Sequence, residues 1–403
     1  MTQFQAARRL DGVSESATLK LNAMVQALKA SGVDVVNLTA GEPDFPVFEA
    51  AKKAVREALD ANRSKYTPVP GIPELRTLVA KKTNLQQPAL STLRPWKAEN
   101  VVVSNGGKQA IFNTLMALVN PGDEVLIPSP YWLSYPEMTK LVGGIAQFME
   151  TTYEGRFKIT PELLNKTLSH SRGRARILIL NSPSNPTGAM YSKEEFVALG
   201  KVLREHPAAR DLWIISDEIY DRIVLSDVPF CSFLEACPEL SERTVTVNGL
   251  SKSGAMTGWR VGWSVAPLSL TQAIGTFQGQ STSGINALAQ WASVAVLALP
   301  ESAFEEQTKI YRSRRQIVLE ALEPIKKLQV FRPDGAFYVF LGVGHYLKSG
   351  EDSLGFAERL LEGAKVAVVP GTPFGRPDFL RLSFATDEKS LAEGCKRIGE
   401  FLK

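Results

Sequence analysis

Apolar residues first recur at helical spacing. Leu19, Leu21, Met24, Val25 and Leu28 predict a helix over residues 18–29, closed by Ser31 and Gly32. Residues 33–38 predict a short strand, and the turn-rich stretch AGEPDFP (40–46) follows it. Helices are predicted over 52–59 and 74–82, on either side of the loop SKYTPVPG (64–71). A different rhythm then sets in. Short β-rich apolar runs at 101–103, 125–127, 177–180, 213–215 and 244–247 alternate with helical stretches, one of them amphipathic over 108–119. Such runs predict an α/β fold in which a mostly parallel sheet is covered on both faces. Polar segments follow several strands directly: Ser-Asn-Gly-Gly after the first, Asn181, Asp217 and Asn248 after the last three. In sheets of this kind ligands sit beyond the carboxyl ends of the strands, so these segments should gather on one edge.

Beyond about residue 300 the pattern changes to a long charged helix (304–322), strands at 331–341, 366–369 and 380–384, and a closing helix over 390–401. The 403-residue length exceeds the roughly 250–300 residues at which one core stops growing, so two domains are expected. The boundaries expected are a large domain over 46–295 and a smaller α+β domain built from both chain ends, 1–45 and 296–403. Composition narrows the chemistry. With 46 Lys+Arg and 42 Asp+Glu the net charge is +4, and the cations are scattered, so nucleic acid is not an expected partner. Three isolated His (His170, His206, His345) and three scattered Cys (Cys231, Cys237, Cys395) argue against a metal site, a His-centred triad or a disulfide framework. The N-terminal MTQFQAARRLDG lacks a signal peptide's apolar core, and the longest nearly apolar stretch (291–300) is about half a membrane span. A cytoplasmic protein with no membrane partner is the expectation.

Five segments carry candidate chemistry. SNGGKQA (104–110) places Gly106 and Gly107 between a strand and a helix, where free N–H groups and the helix dipole suit a phosphate; a plain tight turn is an equal reading. NSPSNPTG (181–188) holds two Asn and two Pro at a strand end, more than a turn needs. In SDEIYD (216–221), Asp217 leaves the sheet edge with Tyr220 three residues later; a carboxylate there suits a cationic nitrogen, although an Asp can also simply cap a helix. NGLSKSGAMTGWRVGW (248–263) sets Lys252 in a small-residue loop with no acidic residue from Val245 to Pro300, conditions that favour the nucleophilic amine form. Arg260, eight residues on, suits a phosphate. Arg381 lies inside the apolar strand of DFLRLSFA (378–385), to close an internal ion pair or to bind a substrate carboxylate.

In this order the segments resemble the pyridoxal-phosphate (PLP) enzymes of fold type I, specifically the class I aminotransferases. GLSKSGAMTGWRVG (249–262) fits that class's coenzyme-lysine pattern, and NPTG, the strand-end Asp with Tyr three later, and the late strand Arg fall in the expected order. AGEPDF, KYTPVPGIPELR, SNGGKQA, PGDEVLIPSPYWLSYPEM and VAVVPGTPF are similar to the bacterial aspartate aminotransferase subgroup, which includes prephenate-using members. The likeness runs from about Ser16 to the C-terminus. It implies a mostly parallel seven-stranded sheet plus a smaller domain, with PLP as cofactor. Lys252 would carry the coenzyme and shuttle the substrate proton. Asp217 would pair with the pyridine nitrogen, and Tyr220 and Asn185 would bond the ring oxygen. Trp132 and Ile219 would flank the ring. Gly106, Gly107 and Lys108 (by their backbone) and Arg260 would surround the phosphate, and Tyr66 would reach the phosphate of a neighbouring subunit, making a homodimer. Arg381, Asn185 and the backbone at Gly41 would clamp the substrate α-carboxylate, with Trp132 beside it.

For a dicarboxylate the resemblance assigns the second carboxylate to Lys108, with Thr18 as helper, since no Lys or Arg occurs between Arg260 and Lys309. Prephenate-using relatives carry an extra basic residue before the SAT segment. Here that place is Ser14, although Arg8 or Arg9 could substitute. Gly249 stands where many relatives have a phosphate-bonding Ser. The expected activity is amino transfer from L-aspartate to 2-oxoglutarate. Prephenate or aromatic transfer is the alternative, and a PLP-dependent carbon–sulfur lyase is the alternative of another class. A PLP-binding regulator fused to a DNA-binding module is disfavoured, because only about 20 residues precede the resemblance.

Overall fold

The computed structural model describes residues 6–14 and 17–403, the side chains of residues 17–20 and 22 excepted. Its centre is a seven-stranded sheet. Across the sheet the strands run Val101–Ser104, Gly262–Val265, Thr244–Gly249, Trp213–Asp217, Ala175–Asn181, Glu124–Ser129 and Ile145–Glu150. Only Gly262–Val265 is antiparallel to its neighbours. Successive residues of one strand serve opposite layers, as the two-residue period of a strand requires. Leu178 and Leu180 pack with the helices Pro73–Gln86, Lys193–Glu205 and Ala287–Leu297. Ile177 and Ile179 pack with Gly106–Leu118, Ser134–Leu141 and Leu268–Ser281. Burial on both faces is why these strands read as unbroken apolar runs.

Two of the seven strands were not predicted. Ile145–Glu150 is a sheet edge with most of its side chains exposed or half-exposed, so it carries no apolar run. Gly262–Val265 is four residues long and begins on a glycine. The predicted strand at 331–341 is two antiparallel strands, Gln329–Phe331 and Tyr338–Gly342, separated by a turn containing Pro333 and Gly335. The 366–369 run also divides. Val366–Ala367 pairs in parallel with Val36–Asn37, the core of the strand predicted over 33–38, whereas Val369–Pro370 joins the antiparallel sheet beside Phe379–Ser383.

That antiparallel sheet packs with the helices Ser302–Leu322, Ser353–Ala364 and Glu388–Phe401. Tyr220, Ile223 and Leu225, from the segment just after Asp217, are buried in the same cluster. The edge of the large sheet and the core of the smaller domain therefore meet through Tyr220. Among the described residues no single helix is long and apolar enough to cross a membrane.

Candidate active site

The polar segments that follow the strands do gather on one edge and line a cleft of about 540 Å³, except Asn248, whose amide donates to Asp221 away from it. One end is built for an anion. The helix Gly106–Leu118 starts directly after the first strand, with Gly106 at φ +81°. A Cβ on Gly262 would lie 2.4 Å from the Gly107 nitrogen, so only glycine lets these backbones approach this closely. Arg260 completes the cradle. Its guanidinium donates to the carbonyls of Thr257 (2.9 Å) and Asn105 (3.2 Å), and a Cβ on Gly106 would come within 2.8 Å of its Nη2. A helix N-terminus joined to a guanidinium is an anion site. Gly249 is also explained. A Cβ there would meet the Val261 carbonyl at 2.8 Å and Gly262 Cα at 2.9 Å, so this backbone leaves no room for serine.

Asp217 ends its strand almost fully buried. The Tyr135 hydroxyl donates to its Oδ2 at 2.6 Å and the Ile219 N–H to its Oδ1 at 3.3 Å. Burial pushes the carboxyl up to about 6, opposed by the Tyr135 and Ile219 donors and by the Lys252 charge. Lys252 follows the Thr244–Gly249 strand and donates to the Gly41 carbonyl at 2.5 Å. Burial, then the positive charges of Arg381 and Arg260, bring the amine down to about 8, while Glu42 and Asp217 pull the other way. A lysine near 8 supplies free amine at neutral pH, as a carbonyl-trapping nucleophile needs.

The opposite wall carries the carboxylate clamp. Arg381, buried in the middle of Phe379–Ser383, donates to Asn185 Oδ1 (3.0 Å) and to the Thr39 carbonyl (3.1 Å), and its Nε has no partner. Its guanidinium lies 4.4 Å from the Tyr338 ring centroid. Among the described residues no carboxylate pairs with it, so the internal ion pair left open by the sequence is not formed. Asn185 is set by its neighbours: its N–H donates to Asn181 Oδ1 (2.8 Å), and the Asn181 amide donates to the Asp217 carbonyl (2.9 Å). The Tyr220 and Tyr338 hydroxyls are 2.9 Å apart, and burial raises Tyr220 well above the ordinary phenol range.

Gly41, Gly107, Lys108, Trp132, Asn185, Asp217, Ile219, Tyr220, Lys252, Arg260 and Arg381 all line this cleft, and Gly106 lies behind Arg260. Lys108 Nζ sits 5.2 Å from the Trp132 ring centroid, and burial, then the Arg260 charge, lowers its affinity for a proton. Two residues stand apart. Tyr66 is fully exposed and borders a separate groove with residues 284–288. The Thr18 side chain lies outside the described residues. Sequence reasoning missed Tyr135, Tyr338 and Glu42, which also line the cleft. Tyr135 was findable, since it follows Trp132 by three residues at a helix start; Tyr338 was not, because it reads as one more aromatic of a core strand.

This fold and site bring an anion cradle, a buried carboxylate, a lysine amine and an arginine into one cleft at the sheet edge. The family described as "Aminotransferase class I and II" matches residues 33–398. The "Probable aspartate/prephenate aminotransferase" of Rhizobium leguminosarum is 41% identical over 97% of each chain. The "Aspartate aminotransferase" of Geobacillus stearothermophilus is 38% identical over 99% of each. Among solved structures, aspartate aminotransferase from Thermus thermophilus with maleate superposes with a TM-score of 0.90, at 40% identity over 99% of this chain and 100% of the other. The chain belongs to the class I and II aminotransferases, in their aspartate/prephenate aminotransferase subgroup, and is a PLP-dependent aminotransferase. The donor set fits that coenzyme: an anion cradle, a buried carboxylate for the pyridine nitrogen, and an amine of lowered basicity for the aldehyde.

Proposed function

We propose that this protein transfers the amino group of L-aspartate to 2-oxoglutarate, giving oxaloacetate and L-glutamate. The observation that carries this reading is the pair of cations lining one cleft. Arg381, without a carboxylate partner among the described residues, takes the α-carboxylate, and Lys108 takes the distal one. PLP, when bound, supplies the electron sink that stabilises negative charge at the substrate's α-carbon. Lys252, freed when the substrate's amine takes its place on the coenzyme, would then move the α-proton as a base. Asp217 holds the pyridine nitrogen protonated. Tyr220 and Asn185 would bond the ring oxygen, Trp132 and Ile219 would flank the ring, and the backbone of Gly106, Gly107 and Lys108 together with Arg260 would hold the phosphate.

The Thermus relative crystallised with maleate, a four-carbon dicarboxylate, supports a dicarboxylate substrate here. Prephenate transfer is the second reading, favoured by the naming of several relatives. Against it, Arg8 and Arg9 lie in an exposed turn and do not line the cleft, and the Ser14 N–H is bonded to Glu137. The active unit in this reading is a cytoplasmic homodimer. The full exposure of Tyr66 supports a role across the dimer, and the three buried, unpaired cysteines suit a reducing compartment. The testing experiment is a panel of amino donors with 2-oxoglutarate, run on the wild type and on Lys108→Ala. Loss of a charge-assisted bond predicts that aspartate activity falls about ten- to a hundredfold while alanine activity holds. Unchanged aspartate activity would remove Lys108 from the role, and release of homocysteine, ammonia and pyruvate from cystathionine and water would mark a lyase.

A further inference from the structure

We propose that Tyr135 is a positioning residue for Asp217, setting through its hydroxyl how strongly that carboxylate draws on the coenzyme's pyridine nitrogen. The inference rests on the reading of Lys252 and Asp217 given above.

Tyr135 stands in the first turn of Ser134–Leu141, three residues after Trp132, and its ring meets the Trp132 ring edge-on at 5.3 Å and 88°. The ring is buried, and the hydroxyl's only hydrogen bond among the described residues is the 2.6 Å one to Asp217 Oδ2. With the Ile219 N–H on Oδ1, both oxygens of a carboxylate bordering the cleft carry a donor. Lys252 and Tyr220 are the other titratable groups that act on or near Asp217. A phenol donor withdraws charge from the carboxylate and weakens it as a base. Asp217 therefore neutralises the ring nitrogen only partly, leaving positive charge on the ring. That charge loosens the proton on the nitrogen Lys252 contributes to the bound coenzyme. The segment from Trp132 to Tyr135 thus supplies one wall of the ring pocket and tunes its charge.

The test is the pH titration of the visible absorption band of the coenzyme-loaded protein. In Tyr135→Phe the carboxylate becomes the stronger base, the ring charge is better neutralised, and the midpoint should rise by about 0.5–1 in pH. In a protein carrying 3,5-difluorotyrosine at 135, a stronger donor of nearly unchanged shape, it should fall. The fluorinated protein also answers the question if Tyr135→Phe does not fold. A tyrosine present only to fill space would lower the melting temperature on mutation yet leave the midpoint in place, and an unmoved midpoint in the folded variants overturns the proposal. If the wild type shows no titrating visible band with PLP, the Lys252 reading fails first and this inference with it. A wild-type band that titrates while the variants match it defeats the Tyr135 inference alone.

Discussion

The two walls of the cleft are built on opposite plans. The coenzyme wall belongs to the large sheet, whose parallel strands stop at one edge. Asp217, Asn181 and the Gly106–Gly107 turn stand there because a strand ends. The substrate wall belongs to the antiparallel sheet, where Arg381 projects from mid-strand, opposite Phe340 and Val369 in the pairing. On the first wall position follows from topology; on the second it follows from side-chain alternation. Chemistry should divide the same way, with the sheet edge setting whether reaction occurs and the mid-strand arginine setting what binds. The largest effect expected is for Lys252→Ala. Loss of both the amine and the base should lower turnover by at least about 10⁴-fold and remove the protein's visible colour with PLP. Surviving turnover would break the division at its root. Arg381→Lys keeps the charge but loses the planar fork, so kcat/KM should fall about ten- to a hundredfold for every amino donor alike. A loss confined to dicarboxylates would exchange the roles of Arg381 and Lys108.

The coenzyme wall also stores an electrostatic cost that varies with pH. Asp217 titrates at about 6 in the folded chain against an ordinary 3.8. Between these values the unfolded chain has lost its proton and the folded chain has not, so stability falls as pH rises from about 4 to 6 and is level above. The ionised, buried carboxylate therefore destabilises the coenzyme-free protein by about 3 kcal/mol at pH 7.5. Asp217→Asn should recover on the order of 2–3 kcal/mol at that pH and about a third as much at pH 4.5, measured by denaturant unfolding. A variant less stable than wild type at pH 7.5 would mean that the Tyr135 and Ile219 donors outweigh burial.

The same contrast explains what could be read from the sequence. Asp217, Asn185 and Lys252 were legible because each sits a fixed step beyond an apolar run, and a parallel sheet turns that step into an address. Arg381 was legible only as an anomaly, a cation in a core strand; nothing local distinguished an ion pair from a substrate site. Tyr338 gave no such signal, since an aromatic on a buried strand is ordinary. The edge strand Ile145–Glu150 was invisible for the complementary reason: with little to bury, it needed no periodic pattern. The Tyr135–Asp217 bond spans 82 positions and depends on how a helix lies on the sheet, which no local spacing encodes.

The smallest effect expected tests whether the walls are independent. Lys252, on the coenzyme wall, donates to the Gly41 carbonyl, on the loop that leads into the large domain. That loop is clamped at Asp44, whose two oxygens accept from Arg314 Nη1 and Nη2 at 2.7 and 2.8 Å, with Phe45 set edge-on against Tyr311. Arg314 and Tyr311 both lie on Ser302–Leu322, so this long helix fixes the loop whose Gly41 carbonyl meets Lys252. Arg314→Lys keeps a positive charge but cannot make the paired bonds, a loss of about 1 kcal/mol for a partly exposed pair. If the loop serves binding, KM should rise about fivefold with kcat nearly constant. If kcat falls instead and KM holds, the loop tunes the lysine itself. The two walls would then be one device, joined through Gly41.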